Sequence, residues 1–358
     1  MKSIPSKTYK TADNPLLIAG PCSAETRGQI LSTAEALKHL NIDYFRAGVW
    51  KPRTRPNSFE GVGQIGLDWL KEVKQKYQMK CCVEVATPGH VEQAIKAGID
   101  AVWLGSRTTT NPFSVQEIAE SLRGANIPVW IKNPMNADLS LWIGAIERIS
   151  QVGIEHISAI HRGFSHYGPS MYRNEPIWEI PRQLKREIPD MDIIHDPSHI
   201  AGNRDLVPSL IGEALEENMN GLMVECHPNP REAWTDADQQ ISTSEMANIV
   251  TNIRAKKLED LNDSALINWR NQINHLDESL ILLLEQRHQL ALKIGAKKQK
   301  NGDRIYQEER WKFLLNRTID LAKKRNLKEH YIAQLFEIIH QESIRLQQED
   351  RQETILNV

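Results

Sequence analysis

Eight short apolar runs between residues 15 and 255 each break off in a polar segment, and amphipathic stretches such as 30–40 and 140–152 lie between them. The runs are residues 16–19, 44–47, 81–85, 102–104, 129–131, 156–160, 193–195 and 222–225. They end in GPCS, RAGVWKPRT, EVATP, GSRTT, KNP, HRG, HDPSH and ECHPNP. A buried strand has no packing reason to stop at Arg, Lys, His or Cys each time. Eight strand-then-helix units in this length predict an α/β fold, a closed (β/α)8 barrel, whose strand ends converge on one mouth. A doubly wound open sheet is the alternative, but no GxGxxG follows the first run.

After residue 255 the β-rich runs vanish. The stretch LEDLNDSA reads as a linker, 256–263, and an all-helical domain is expected over 264–358. From Leu266, apolar residues recur at Trp269, Ile273, Leu276, Leu280, Leu283, Leu290 and Ile294, a spacing of three and four that predicts one unusually long helix. NGDR breaks it. A shorter helix is expected over 308–324, and a third over about 330–347. A long helix exposing such a stripe needs a partner, so a homodimer through the helical domain is expected.

The 358 residues are 40% hydrophobic and 25% charged, with a net charge of −2. No basic excess argues for nucleic acid or an anionic membrane. The longest aliphatic run, LILLL at 280–284, is too short to span a bilayer, and the first residues lack a signal-peptide core. Four cysteines do not make a disulfide framework, so the expected compartment is the reducing cytoplasm.

Cys22, His199, Glu225 and Asp236 form a candidate metal set at the mouth, with donors suited to Mn, Fe, Co or Zn. Singly, each has a structural reading: Cys22 as a small buried hydrophobe, His199 as a loop cap. The cations are the better signal. Arg46, Lys51, Arg53, Arg107, Lys132 and Arg162 all lie at or just after strand ends, and six converging charges would repel one another unless anions bind there. Arginine suits phosphate and carboxylate, which points to small phosphorylated, carboxylated substrates.

The motifs AGPCS, FRAGVWKPRT, GSRTTTNP, IKNP, HRGF, DPSH and ECHPNP followed by TDADQ resemble those of the compact 3-deoxy-heptulosonate-7-phosphate (DAHP) synthases, over about residues 14–255. The resemblance implies that Cys22, His199, Glu225 and Asp236 hold the divalent metal. It implies that Arg46, Lys51, Arg107, Lys132 and Arg162 bind phosphoenolpyruvate, and that Arg53 and Thr54 hold erythrose 4-phosphate. Lys51 is a candidate proton donor to the new alkoxide. Octulosonate-8-phosphate and sialate synthases share this chemistry and are the alternative, with KPRT favouring the four-carbon sugar.

On the long helix, Arg287 and Lys298 share a face, about 16 Å apart along the axis at the usual rise, whereas Lys297 points away. Arg270 faces elsewhere and would have to serve another site, such as a dimer partner's. Solvated charge is the competing reading. The segments WRNQINHLDESLILLLEQRHQLALKIGAKK and YIAQLFEIIHQESIRLQQ are similar to the all-helical chorismate mutases. That resemblance places Arg270, Arg287, Lys298, Arg310, Ser343 and Gln347 at active-site positions: Arg270 and Arg287 for the carboxylates of chorismate, Lys298 and Gln347 for its ether oxygen. Many relatives carry Glu where this chain has Trp311, so hydroxyl anchoring departs from the family pattern. A helical domain acting chiefly as a regulatory sensor is the alternative. Either way, joining an early enzyme of aromatic biosynthesis to a late one predicts feedback by prephenate or chorismate.

Overall fold

The computed structural model describes residues 10–12, 14–52, 57–168, 170–255 and 259–356. Its first unit is the expected barrel. Strands β1 (Leu16–Gly20), β2 (Tyr44–Arg46), β3 (Cys81–Val85), β4 (Ala101–Leu104), β5 (Val129–Lys132), β6 (Ile157–His161), β7 (Asp192–His195) and β8 (Gly221–His227) run parallel in sequence order, and β1 closes on β8. A two-residue strand, β9 (Ile241–Ser242), pairs with Cys226 and His227 at the end of β8 and pins the preceding loop over the mouth.

Side chains alternate across a strand, so every second residue points into the barrel. Leu16, Ile18, Cys82, Ala101, Trp103, Trp130, Ile160, Ile194 and Met223 fill the inside, with Tyr44 packed on them. Their neighbours, among them Leu17, Ala19, Val83, Val102 and Ile193, pack outward against the helices. Two residues beyond the last inward apolar side chain of each strand stand Gly20, Arg46, Glu84, Gly105, Lys132, Arg162, Asp196 and Glu225. The apolar core thus ends in one layer of polar groups and two glycines. The glycines are needed for space: a Cβ at Gly20 would lie 2.2 Å from the Arg46 carbonyl oxygen, and one at Gly105 would lie 2.2 Å from Glu84 Oε1.

Several mouth motifs double as helix starts. Thr87, Asn111 and Asp196 each cap the backbone of a following helix with proline in its first turn. These caps satisfy amide groups that no intrahelical carbonyl can reach.

The second compact unit runs from Ile273 to Val358. The long helix spans Glu259–Asn301, so it starts inside the stretch expected as a linker, of which 256–258 lie outside the described residues. LEDLNDSA contains no Gly or Pro, and nothing in it forbids helix. Helices Glu308–Lys324 and Glu329–Leu356 follow, the third extending past the expected end. The long and third helices approach closely at Gly295, where an added Cβ would meet Gln347 Cγ at 2.7 Å. Ala291, Ala322 and Ile332 are buried, whereas Leu276, Leu280, Leu283 and Leu290 are 55–64% exposed. Among the described residues, no helix is long and apolar enough to cross a membrane.

Candidate active sites

At the end of β8 and in the loops around it, Cys22, Glu225 and Asp236 each offer a donor atom within 4.8 Å of the others. Cys22 Sγ lies 3.2 Å from Asp236 Oδ2. His199 stands beside the trio, its Nε2 3.8 Å from Glu225 Oε1. Its Nδ1 is held by Asp196 at 2.9 Å, which leaves the Nε2 lone pair facing the cluster. Burial holds the imidazole below its usual pKa, so it is the neutral form a metal requires. Burial also pushes the Cys22 thiol up to about 12, with Glu225 adding to the effect. Burial would raise Asp236 and Glu225 too, but Lys51 and Arg173 hold Asp236 down, and Arg46 and Lys51 do the same for Glu225. One neutral imidazole, two carboxylates and a thiol that must shed its proton fit a divalent cation of borderline softness. Asp236 also has a positive φ of 48°, a conformation that persists in a non-glycine residue only when its surroundings fix it.

The cationic end of the mouth adjoins this cluster. Arg46 is 1% exposed and donates through Nη2 to Glu225 Oε1 at 2.9 Å. Its Nε and Nη1 are buried and have no hydrogen-bond partner among the described residues. Trp103 lies beneath it, with the guanidinium 5.1 Å from the ring. Lys132 is paired with Asp196 at 2.8 Å. Arg162 donates to Asn174 Oδ1 at 2.6 Å, and burial lowers its pKa to about 10 despite Asp196 nearby. Lys51 Nζ is 2.9 Å from Cys22 Sγ. Burial would strip its proton, but the carboxylates of Glu225 and Asp236 keep it charged. A cavity of about 540 Å³ opens at the mouth and is lined by Lys51, Glu84, Arg107, Arg162, His199 and Asp236, among others. Arg53 and Thr54 lie outside the described residues.

Four groups at the mouth lie outside the expected set of site residues. Glu84 and Asp196 occupy the polar layer, and counting two residues past the last inward apolar position finds both. Arg173 and Asn174 come from an irregular loop, where no period announces them. Asn174 joins Arg162 to the His199 carbonyl, to which its Nδ2 donates at 2.7 Å.

In the helical unit, Arg287 Nη1 donates to Ser343 Oγ and to the Ile339 carbonyl. Lys298 Nζ reaches the Ile305 carbonyl at 2.5 Å. Gln347 is buried, and its Oε1 has no partner among the described residues. Arg287, Ser343 and Gln347 lie where the long and third helices meet, and Lys298 is held to the loop that follows the long helix. Arg310 is exposed, its guanidinium 5.5 Å from the Phe313 ring centre. Trp311 stacks flat on His340 at 4.0 Å. Arg270 is exposed on the long helix.

A parallel barrel that gathers metal donors and buried cations at the C-terminal ends of its strands is an enzyme acting on small anions. The DAHP synthetase I family model matches residues 3–259, and the chorismate mutase type II model matches residues 269–348. A phospho-2-dehydro-3-deoxyheptonate aldolase of Thermotoga maritima is 32% identical over 244 residues, covering 68% of this chain and 70% of the relative. A solved DAHP synthase structure from the same organism superposes with a TM-score of 0.60 at 28% identity, covering 70% of each chain. The C-terminal region is 43% identical over 86 residues to a bifunctional chorismate mutase/prephenate dehydratase of Buchnera aphidicola, covering 24% of this chain and 22% of that one. The chain belongs to the DAHP synthetase I family, and a chorismate mutase type II domain follows its barrel. A 2-dehydro-3-deoxyphosphooctonate aldolase of Azoarcus is more distant, at 24% identity over 269 residues, so the octulosonate alternative is not favoured.

Proposed function

We propose that the barrel condenses phosphoenolpyruvate with erythrose 4-phosphate, using the mouth residues in the roles below, and that the helical domain rearranges chorismate to prephenate. The observation that carries the first part is Arg46, a buried guanidinium whose Nη2 donates to Glu225 at 2.9 Å while its Nε and Nη1 have no partner among the described residues. Buried unpaired donors are costly, and an anionic substrate satisfies them.

Arg46, Lys132 and Arg162, with Arg107 at the rim, bind the phosphate and carboxylate of phosphoenolpyruvate, and Arg53 and Thr54 bind the sugar phosphate. C3 of phosphoenolpyruvate attacks the aldehyde carbon, water adds at C2, and inorganic phosphate leaves. The cations offset the mutual repulsion of two phosphates and a carboxylate. Cys22, His199, Glu225 and Asp236 hold a divalent ion (Mn, Fe, Co or Zn), which when bound polarises the aldehyde oxygen as a Lewis acid. Lys51, kept protonated by the Glu225 and Asp236 carboxylates, delivers a proton to the oxygen that becomes alkoxide.

The rearrangement of chorismate needs no acid or base, only charge and donors in place. Arg287 serves one carboxylate, while Lys298 and Gln347 face the ether oxygen, Ser343 orients Arg287, and Arg310 closes the site. Arg270 comes from a second copy of the chain, in a homodimer that covers the exposed leucines of the long helix. Trp311 is committed to His340 and brings no carboxylate to the substrate hydroxyl. Prephenate or chorismate bound in the helical domain lowers condensation, which explains the fusion better than channelling, because the product of the barrel is not the substrate of the mutase.

Both activities are to be assayed on one purified preparation with and without chelator. Chelation is expected to abolish condensation and to spare the rearrangement. Loss of both together, or of neither, would refute the assignment of metal chemistry to the barrel alone.

A further inference from the structure

The metal donors do not hold themselves in place. Asp236 Oδ1 accepts from Arg173 Nη1 at 2.8 Å. The same nitrogen donates to Gln239 Oε1 at 2.6 Å, and Gln239 Nε2 donates in turn to Glu225 Oε2 at 2.6 Å. Two carboxylates from separate segments, one on β8 and one in the loop after it, are therefore joined by a single guanidinium–amide bridge. The bridge grips each carboxylate by one oxygen. The other oxygen faces the remaining donors: Asp236 Oδ2 lies 3.2 Å from Cys22 Sγ, and Glu225 Oε1, which also accepts from Arg46 Nη2 at 2.9 Å, lies 3.8 Å from His199 Nε2. The amide is suited to this place because only an amide accepts from a guanidinium at one atom and donates to a carboxylate at the next.

We propose that Arg173 and Gln239 are the positioning residues of the metal centre, fixing the spacing and orientation of its two carboxylates before the ion arrives. The inference rests on the reading of Cys22, His199, Glu225 and Asp236 as metal ligands. Groups that orient the ligands of a metal site typically govern its affinity by about 10–100-fold. Arg173 also answers to the fixed backbone around it: its amide donates to the Ala201 carbonyl, and a Cβ on Gly202 would meet its own Cβ at 2.4 Å. The bridge therefore ties the loop carrying Arg173 to the turn after His199 as well as to Asp236. Gln239 is 1% exposed, is not among the residues lining the cavity, and is not positioned to meet substrate.

That difference makes the test decisive. Mn²⁺ affinity is to be measured on the full-length chain by calorimetry against a competing chelator, for the wild type, Arg173→Ala, Gln239→Ala and the double variant. Arg173→Ala and Gln239→Ala are each expected to weaken Mn²⁺ binding about 10–100-fold, and the double variant to lose little more than the worse single one, because one bridge is broken in all three. Metal-induced protection against heat is expected to fall in parallel. Far-UV circular dichroism and the thermal unfolding of the metal-free chain report that the barrel is folded, and Gln239→Glu, of equal size but without the donor, replaces Gln239→Ala if the latter does not fold. If either single variant binds Mn²⁺ within about twofold of the wild type, the proposal is wrong. A raised KM for substrate at unchanged metal affinity in Arg173→Ala would make Arg173 a substrate ligand instead and also overturn it. A wild type that does not bind Mn²⁺ would overturn the metal-site reading itself, a separate failure.

Discussion

The ammonium of Lys51 stands 2.9 Å from the sulfur of Cys22, so a buried cation faces the one ligand that still carries its proton. With the thiol raised to about 12 by burial, binding a divalent ion must expel that proton, while His199 enters already neutral. Metal affinity is therefore expected to rise with pH, by about tenfold per unit for one released proton, between about pH 6.5 and 8.5. Mn²⁺ titrations at three pH values check this, with proton release measured in buffers of different ionisation enthalpy. A flat profile would mean that Cys22 does not ligate as a thiolate.

Behind the mouth, His161 and His195 sit in a buried pair, Nδ1 to Nδ1 at 3.3 Å, with Trp178 stacked on His195. Burial lowers His161 to about 4 and holds His195 well below its ordinary range. An unfolded histidine titrates near 6.5, so below that pH the unfolded chain binds protons that the folded one refuses. Barrel stability is expected to be level above about pH 6.5 and to decline as pH falls toward 4. The loss is on the order of 3 kcal/mol from His161 alone. Urea midpoints across that range measure it, and His195→Gln is expected to reduce the slope.

Arg270 lies exposed on the helix that carries Arg287 and Lys298 but not on their face. Arg270→Ala and Lys298→Ala are each expected to abolish rearrangement. After subunit exchange, mixed dimers are expected to regain activity, because one of their two sites then has both cations. No recovery, with exchange confirmed by mass, would exclude sites shared between copies.

Feedback gives a fourth expectation. Prephenate is expected to lower the condensation rate of the wild type and to leave Arg287→Ala nearly unaffected, with a coupling of about 1–3 kcal/mol. By reciprocity, phosphoenolpyruvate should weaken prephenate binding by the same factor. A wild-type rate unchanged at saturating prephenate would end the idea, and equal inhibition of both proteins would move the regulatory site elsewhere.

The barrel was legible because two periods, one of strand and one of helix, alternate eight times without interruption, and each expected run falls on an observed strand. The donor set was legible only through family motifs, since Cys22, His199 and Asp236 lie beyond the strands that support them. Glu84 and Asp196 could have been found by counting along the inward face. Gln239 closes the TDADQ motif that carries Asp236, whereas Arg173 and Asn174 could not be found, because an irregular loop carries no register from which to count. In the helical unit, Gln347 and Ser343 are four residues apart on one face, so helix geometry alone puts them together. The start of the long helix was misjudged because polar residues were read as a linker where no helix breaker stands.

Asp196 caps the backbone of the turn that presents His199, fixes the tautomer of that ring, and balances the charge of Lys132. A cap alone is an exchangeable part: Thr26 and Thr87 could each give way to Ser or Asn with the helix intact. At position 196, Asn would still cap, yet it would leave a buried ammonium without its counter-charge and give the imidazole a neutral partner. The position is therefore closed to the substitutions that its local geometry would tolerate, and drift there is limited to a single side chain by three obligations held at once.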